Sequence, residues 1–233
     1  MLRGAVSIAS PSGFEDRVAC YLVERMKSLG GKAYVDASGS AVATIGSGPL
    51  KVMFLGHIDT VAGDIPVRIE DDCLYGRGTV DAKGPFCAAI AAASRLTEET
   101  LDRLSLTLIG ATEEEAPSSK GARHALAAYP RPDLLIIGEP SGWDAMTLGY
   151  KGRLVLRVVV AKPNHHSAGS ESSAADDAVR LWNRVAVWVA GFNRAQERIF
   201  DQLQATLQSI ATDDDGLEQR CTLTIGFRLP PRL

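Results

Sequence analysis

His57 and Asp59 stand two positions apart in "GHIDTV", and Asp81 follows in "YGRGTVDAKG". Three consecutive glutamates, Glu113, Glu114 and Glu115, fill "TEEEAPSSKGAR", and Glu139 sits in "IIGEPSG". One imidazole and several carboxylates are the donor types that hold a divalent cation. Gathered without a cation, the carboxylates would repel one another and be driven toward protonation, whereas a bound divalent metal removes the conflict. Each piece alone has a plainer use: a His-x-Asp as a surface pair or a satisfied core histidine, a run of Glu as a helix start, Glu139 as a turn residue. Their conjunction is what points to a metal centre.

Each group follows an apolar run that reads as a strand. "KVMFL" leads to His57 and Asp59, "LSLTLIGAT" to the three glutamates, and "DLLIIG" to Glu139. Ligands of open α/β sheets gather at the carboxyl ends of strands, so these buried strands should bring the separated segments together, with Asp81 joining from a glycine-rich loop. That loop does not read as a phosphate loop, because Lys83-Gly84-Pro85 lacks the Gly-Lys-Ser/Thr order and no G-x-G-x-x-G is formed.

The elements that must position these residues follow from periodicity. Val18, Leu22, Met26 and Leu29 fall at helical spacing and predict a helix over Phe14 to Leu29, with Ser12 and Gly30 as start and stop signals. "KAYV" and "AVATI" read as strands, "VRIE" and "CLYG" as a hairpin turning on two Asp residues, and the alanine-rich Phe86 to Leu96 as a helix. Gly121 to Ala128 predicts a short helix. Alternating strand and helix makes the first part of the chain an α/β unit. From Gly149 the texture changes: a long strand in "GRLVLRVVVA", an amphipathic helix from Ser172 to about Arg198, then strands in "ATLQSIA" and "CTLTIGFRL" predict a smaller α+β unit. The division expected is 1–148 and 149–233. The acidic run Asp213 to Asp215 reads as a solvated turn.

Composition bounds the function. The 233 residues carry 25 Lys and Arg against 28 Asp and Glu, a net charge of -3 that gives no general reason to expect nucleic acid or an anionic membrane as partner. The start of the chain has too short an apolar core for a signal peptide, so a cytoplasmic location is the expectation. Cys20, Cys73, Cys87 and Cys221 are scattered with no C-x-x-C pair, which argues against a thiolate zinc site or a disulfide framework and predicts ordinary small apolar residues.

"GHIDTV", "YGRGTVDAKG", "TEEEAPSSKGAR" and "IIGEPSG", in this order, resemble the dinuclear zinc hydrolases that include acetylornithine deacetylase, succinyl-diaminopimelate desuccinylase and carboxypeptidase G. The resemblance implies an α/β, zinc-peptidase-like catalytic domain with a smaller α+β lid and dimerisation domain, and two Zn2+ per intact subunit, with Co2+ able to substitute. It implies that His57, Asp81 and Glu139 bind the first metal, with Asp81 bridging to a second that Glu115 also binds. Asp59 would orient His57, and Glu114 would be the general base. "GYKGRLVLRVVVA" followed by "NHHSAG" resembles the lid, whose oxyanion-supporting histidine corresponds to His166, acting in the neighbouring subunit's site of a homodimer. His165 would be a bystander.

The family supplies one more histidine to the second metal after the lid, and none follows His166. By resemblance the chain therefore reads as truncated, lacking its return to the catalytic domain, with a weak second site and little activity of its own. "GATEEEAPSSKGAR" is most similar to hydrolases that release lysine or ornithine from the C-terminal Glu of an acidic amino-group carrier protein in lysine and arginine biosynthesis. The alternatives are a small-molecule deacylase acting on acetylornithine or acetyllysine, a dipeptidase, or a non-catalytic dimerising fragment. An acidic carrier needs a positive landing surface, for which Arg77, Lys83, Lys120, Arg123, Lys151 and Arg153 are the candidates.

Overall fold

The computed structural model describes residues 1–142, 144–164, 169 and 171–231. The chain divides into two compact units, Met1–Ala145 and Met146–Leu233.

In the first unit the elements run α1 (Leu2–Val6), α2 (Asp16–Met26), β1 (Lys32–Val35), β2 (Ala41–Ile45), β3 (Leu50–His57), β4 (Arg68–Glu70), β5 (Cys73–Tyr75), α3 (Lys83–Ala93), α4 (Glu98–Arg103), β6 (Leu104–Ala111), α5 (Lys120–Ala128) and β7 (Leu134–Ile137). Five strands form one mixed sheet in the order β1-β2-β6-β3-β7. β3 runs parallel to β6 on one side and to β7 on the other, while β2 is antiparallel to both β1 and β6. The alternation of side chains along each strand divides the core between the two faces. Ala41, Ala43, Ile45 and Leu108 pack with Val18, Leu22 and Met26 of α2 and Phe86 and Ile90 of α3, whereas Val42, Met53 and Ile109 pack with Ala125 of α5. β4 and β5 form a separate hairpin whose turn residues Asp71 and Asp72 have φ of 47° and 60°, as a two-residue hairpin turn requires.

The second unit contains β8 (Gly152–Pro163), α6 (Ala174–Asn193), β9 (Gln204–Asp214) and β10 (Glu218–Leu229). Its antiparallel sheet has the order β8-β10-β9. Cys221, Leu223, Ile225 and Phe227, alternate residues of β10, pack with Ala174 and Ala178 of α6 and with Leu203. A capping box starts α6: Ser173 Oγ accepts from Asp176 N, and an Asp176 carboxylate oxygen accepts from Ser173 N, each at 3.0 Å. Asp213 and Asp214 end β9, and Asp215 Oδ1 accepts from the backbone N–H of Leu217 and Glu218 in the exposed turn that follows.

Several elements depart from the sequence expectations. α2 begins at Asp16 rather than Phe14, because the Ser12 hydroxyl donates to Asp59 instead of capping the helix. Its last predicted turn, Lys27–Leu29, tightens to a 3-10 turn before Gly30 at φ 79°. α6 stops at Asn193, short of Arg198, because the Asn193 amide both donates to Leu203 O and accepts from Leu203 N, turning the chain back onto the sheet. β7 is exposed along its whole length, not buried. Helices α1 and α4 were not expected; Thr97, whose Oγ1 accepts from Thr100 N, caps α4. Cys87 and Cys221 are buried as small apolar residues should be, but Cys20 lies on the outer face of α2 and Cys73 on the exposed hairpin; all four are free thiols. Among the described residues, no helix is long and apolar enough to cross a membrane.

Candidate metal centre

The parallel pairing of β3 with both neighbours sets three strand ends side by side. His57 ends β3 opposite Ala111 of β6, and Gly138 N donates to Leu55 O at 2.8 Å, which places Glu139 beside them. Asp81 arrives from the loop that enters α3, where the Asp81–Ala82 peptide is cis. Four residues therefore meet: His57 Nε2 lies 3.0 Å from Asp81 Oδ1, 3.9 Å from Glu114 Oε2 and 3.9 Å from Glu139 Oε1. Two triads have donor atoms all within 4.8 Å of one another, His57 with Glu114 and Glu139, and His57 with Asp81 and Glu115. The sequence reading groups His57 with Asp81 and Glu139, whose oxygens lie 3.0 and 3.9 Å from His57 Nε2. Both triads depend on the same imidazole.

Asp59 is fully buried and organises the centre from below. Its Oδ2 accepts from Ser12 Oγ at 2.7 Å and Glu115 N at 3.0 Å, and its Oδ1 from Glu114 N at 3.1 Å. His57 Nδ1 lies 3.2 Å from Asp59 Oδ1 and 3.1 Å from the Asp59 carbonyl oxygen, so Nδ1 carries a proton and Nε2 is left to face the carboxylates. Burial would raise the Asp59 pKa, but the hydrogen bonds from His57, Ser12 and the two backbone N–H groups overcome it and hold the carboxyl below its ordinary 3.8. At His57 burial is the largest influence and acts downward, yet the hydrogen bond to Asp59, the charges of Glu139 and Asp59 and the hydrogen bond to Asp81 together raise its pKa to about 9. Glu115 and Glu139 are both raised, each by burial first; the charges of Asp81 and Glu114 add to this at both, and His57 opposes at both. This mutual frustration is what a cation would relieve. A protonatable imidazole with a fixed tautomer and opposing carboxylates within a few ångströms fits a divalent ion.

Glu113 points elsewhere. With φ 54° it turns its side chain to Ser118 Oγ, which donates to it at 2.6 Å, and to Lys120 Nζ at 3.6 Å. His124 lies off the centre, 3.6 Å from Asp36. His165 and His166 fall outside the described residues. Lys83 corrects the expected landing surface: it is buried, its Nζ donating to the carbonyls of Ala5 at 3.2 Å and Ile8 at 2.8 Å, and burial lowers its pKa to about 8. Lys151 is likewise engaged, donating to the carbonyls of Ile199 and Gln202. Sequence reasoning missed Ser12, which it took for a helix start, and Glu15; Ser12 reaches Asp59 and Glu15 reaches Glu113, contacts far along the chain that leave no local pattern.

Residues 53–227 match the sequence pattern of peptidase family M20/M25/M40. The chain belongs to this family. Among its relatives, a [LysW]-lysine hydrolase of Deinococcus radiodurans is 54% identical over 237 residues, covering 100% of this chain and 65% of the relative. A [LysW]-lysine/[LysW]-ornithine hydrolase of Sulfurisphaera tokodaii is 33% identical over 173 residues, covering 74% of this chain and 48% of the relative. The chain thus spans less than two thirds of the length of these relatives. Solved structures share the fold: the M20 metallo-carboxypeptidase Sso-CP2 of Sulfolobus solfataricus at TM-score 0.69 and 18% identity, covering 100% of this chain and 71% of that one, and human carnosine dipeptidase 1 at TM-score 0.65 and 19% identity, covering 100% and 69%. The α/β architecture is therefore that of M20 metallopeptidases.

Proposed function

We propose that the protein is a metal-dependent amide hydrolase that releases lysine, or ornithine, from the C-terminal Glu of an acidic amino-group carrier protein, as part of amino-acid biosynthesis in the cytoplasm. The observation that carries this reading is the meeting of His57, Asp81, Glu114, Glu115 and Glu139 at adjacent strand ends, in a chain 54% identical to a relative named [LysW]-lysine hydrolase. His57, Asp81 and Glu139 would hold one zinc, or cobalt in its place, and Asp81 with Glu115 would contribute to a second. A divalent ion bound there polarises an amide carbonyl and makes a water more acidic. Glu114, half exposed beside His57, takes the water's proton and returns it to the leaving amine. Asp59 keeps His57 in the tautomer whose Nε2 faces the centre. Residues 149–233 would act as lid and homodimer contact, with His166 supporting the oxyanion in the neighbouring subunit's site.

The test compares kcat/KM for carrier-linked lysine with that for acetyllysine and acetylornithine across a salt series. Attraction between an acidic carrier and basic side chains such as Arg77, Lys120, Arg123 and Arg153 should raise the association rate at low salt, and screening over a Debye length of roughly 8–10 Å should weaken it. A small acetylated substrate should respond far less. Preference for an acetylated substrate at every salt concentration would make the protein a small-molecule deacylase with the same metal chemistry.

A further inference from the structure

We propose that Glu15 is a positioning residue for the Glu113–Glu115 loop, a role that rests on reading Glu114 and Glu115 as members of the metal centre. Glu15 is 5% exposed and occupies the N-cap position of α2, yet its side chain caps nothing in its own helix. Its Oε1 instead accepts from Gly13 N at 2.9 Å and from Glu113 N at 3.0 Å, a contact spanning 98 positions of sequence. Among the described residues no cationic side chain lies within ion-pair distance of it, so backbone N–H groups are what its carboxylate meets.

The loop it touches is held in an unusual way. Four consecutive backbone N–H groups after β6 donate to side chains from three other segments: Thr112 to Ser40 Oγ at 3.3 Å, Glu113 to Glu15 Oε1, Glu114 to Asp59 Oδ1 and Glu115 to Asp59 Oδ2. No strand or helix ladder fixes this stretch. The contact at Glu113 falls on the left-handed residue, φ 54°, where a non-glycine side chain is strained. That turn separates the glutamates, sending Glu113 to Ser118 and Lys120 while Glu114 and Glu115 face His57. Without the Glu15 carboxylate the Glu113 N–H loses its acceptor, the strained turn relaxes, and the two glutamates behind it leave their places. Asp59 holds the far side of the turn and Glu15 the near side.

The experiment measures amide hydrogen exchange by NMR and zinc affinity by chelator competition in the wild type, Glu15→Gln, Glu15→Ala and Glu15→Ala/Glu113→Gly. Wild-type Glu113 N–H should be protected, and Glu15→Ala should speed its exchange at least about tenfold, with Glu15→Gln between the two. Zinc affinity should fall about tenfold in Glu15→Ala. Glu113→Gly, which takes the left-handed turn without strain, should recover part of that affinity without restoring the lost contact, and titrating under conditions where circular dichroism shows every variant fully folded separates this from a loss of global stability. An unprotected Glu113 N–H in the wild type, or a zinc affinity in Glu15→Ala within about twofold of wild type, would overturn the proposal. If the wild type takes up no zinc, the metal reading fails, while the exchange at Glu113, which needs no metal, still decides the role of Glu15.

Discussion

Asp59→Asn isolates what the buried carboxylate contributes. The carboxylate accepts from four donors, Ser12 Oγ, Glu114 N, Glu115 N and His57 Nδ1. An asparagine offers one oxygen and one NH2 group. In the better orientation the oxygen stays with Glu114 N and His57, and the NH2 faces Ser12, whose hydroxyl can rotate to accept, and Glu115 N–H, which cannot. One hydrogen bond to a charged acceptor is lost, at about 1.5–3 kcal/mol, and weakening of the others from charged to neutral brings the sum to roughly 3–5 kcal/mol. For a chain of this size that lowers Tm by about 6–20 °C. Zinc affinity should fall about 10- to 100-fold as the His57 tautomer and the glutamate loop loosen. The pH dependence gives a separate check. The Asp59 pKa is depressed in the folded state, so its stabilisation is present above the ordinary 3.8 and is lost as pH falls through the lower folded value. Wild type and variant should therefore converge in strong acid. Denaturant unfolding across pH measures this, and an Asp59→Asn stability within about 1 kcal/mol of wild type at pH 7, or a gap that does not close in acid, would refute the reasoning.

Because both donor triads share His57 Nε2, this chain should bind one zinc tightly, and two tightly held zincs per chain by elemental analysis would show that the sharing is misread. With the His57 pKa raised to about 9 before metal enters, zinc must displace a proton below that pH, so affinity should climb about tenfold per pH unit from neutrality toward 9; calorimetry finding a flat profile would count against it. The same raised pKa means that, without metal, the stability His57 contributes is full below 6.5 and is lost as pH rises through about 9. In the active enzyme Glu114→Gln should keep both metals and lose several orders of magnitude in hydrolysis, whereas Glu115→Gln should lose the second metal, and the reverse outcome would shift the register by one residue. Asn193→Ala removes two hydrogen bonds to Leu203 and should destabilise the second unit by about 1–3 kcal/mol, read by chemical unfolding of that unit, with no change in zinc affinity.

Strand periodicity alone determined much of this protein. The apolar runs before His57, Glu113 and Glu139 are local in sequence, and their becoming β3, β6 and β7 is what makes three distant acidic segments neighbours. The hairpin turn at Asp71 and Asp72 and the start of α6 were legible for the same reason, since turn and cap chemistry act over two to four residues. Contacts between distant segments were not legible. Ser12 reads as a helix cap until Asp59 is seen to take its hydroxyl, Lys83 reads as a surface cation until the Ala5 and Ile8 carbonyls are found around its buried amine, and Asn193 reads as one more helical residue until Leu203 pairs with its amide. Nor can the spacing of three adjacent glutamates reveal which two turn toward His57, because that depends on one left-handed turn at Glu113. The sequence names the donors through patterns of a few residues. Their grouping around one imidazole depends on backbone N–H groups and buried carboxylates whose partners lie dozens of positions away, and only the folded chain brings those together.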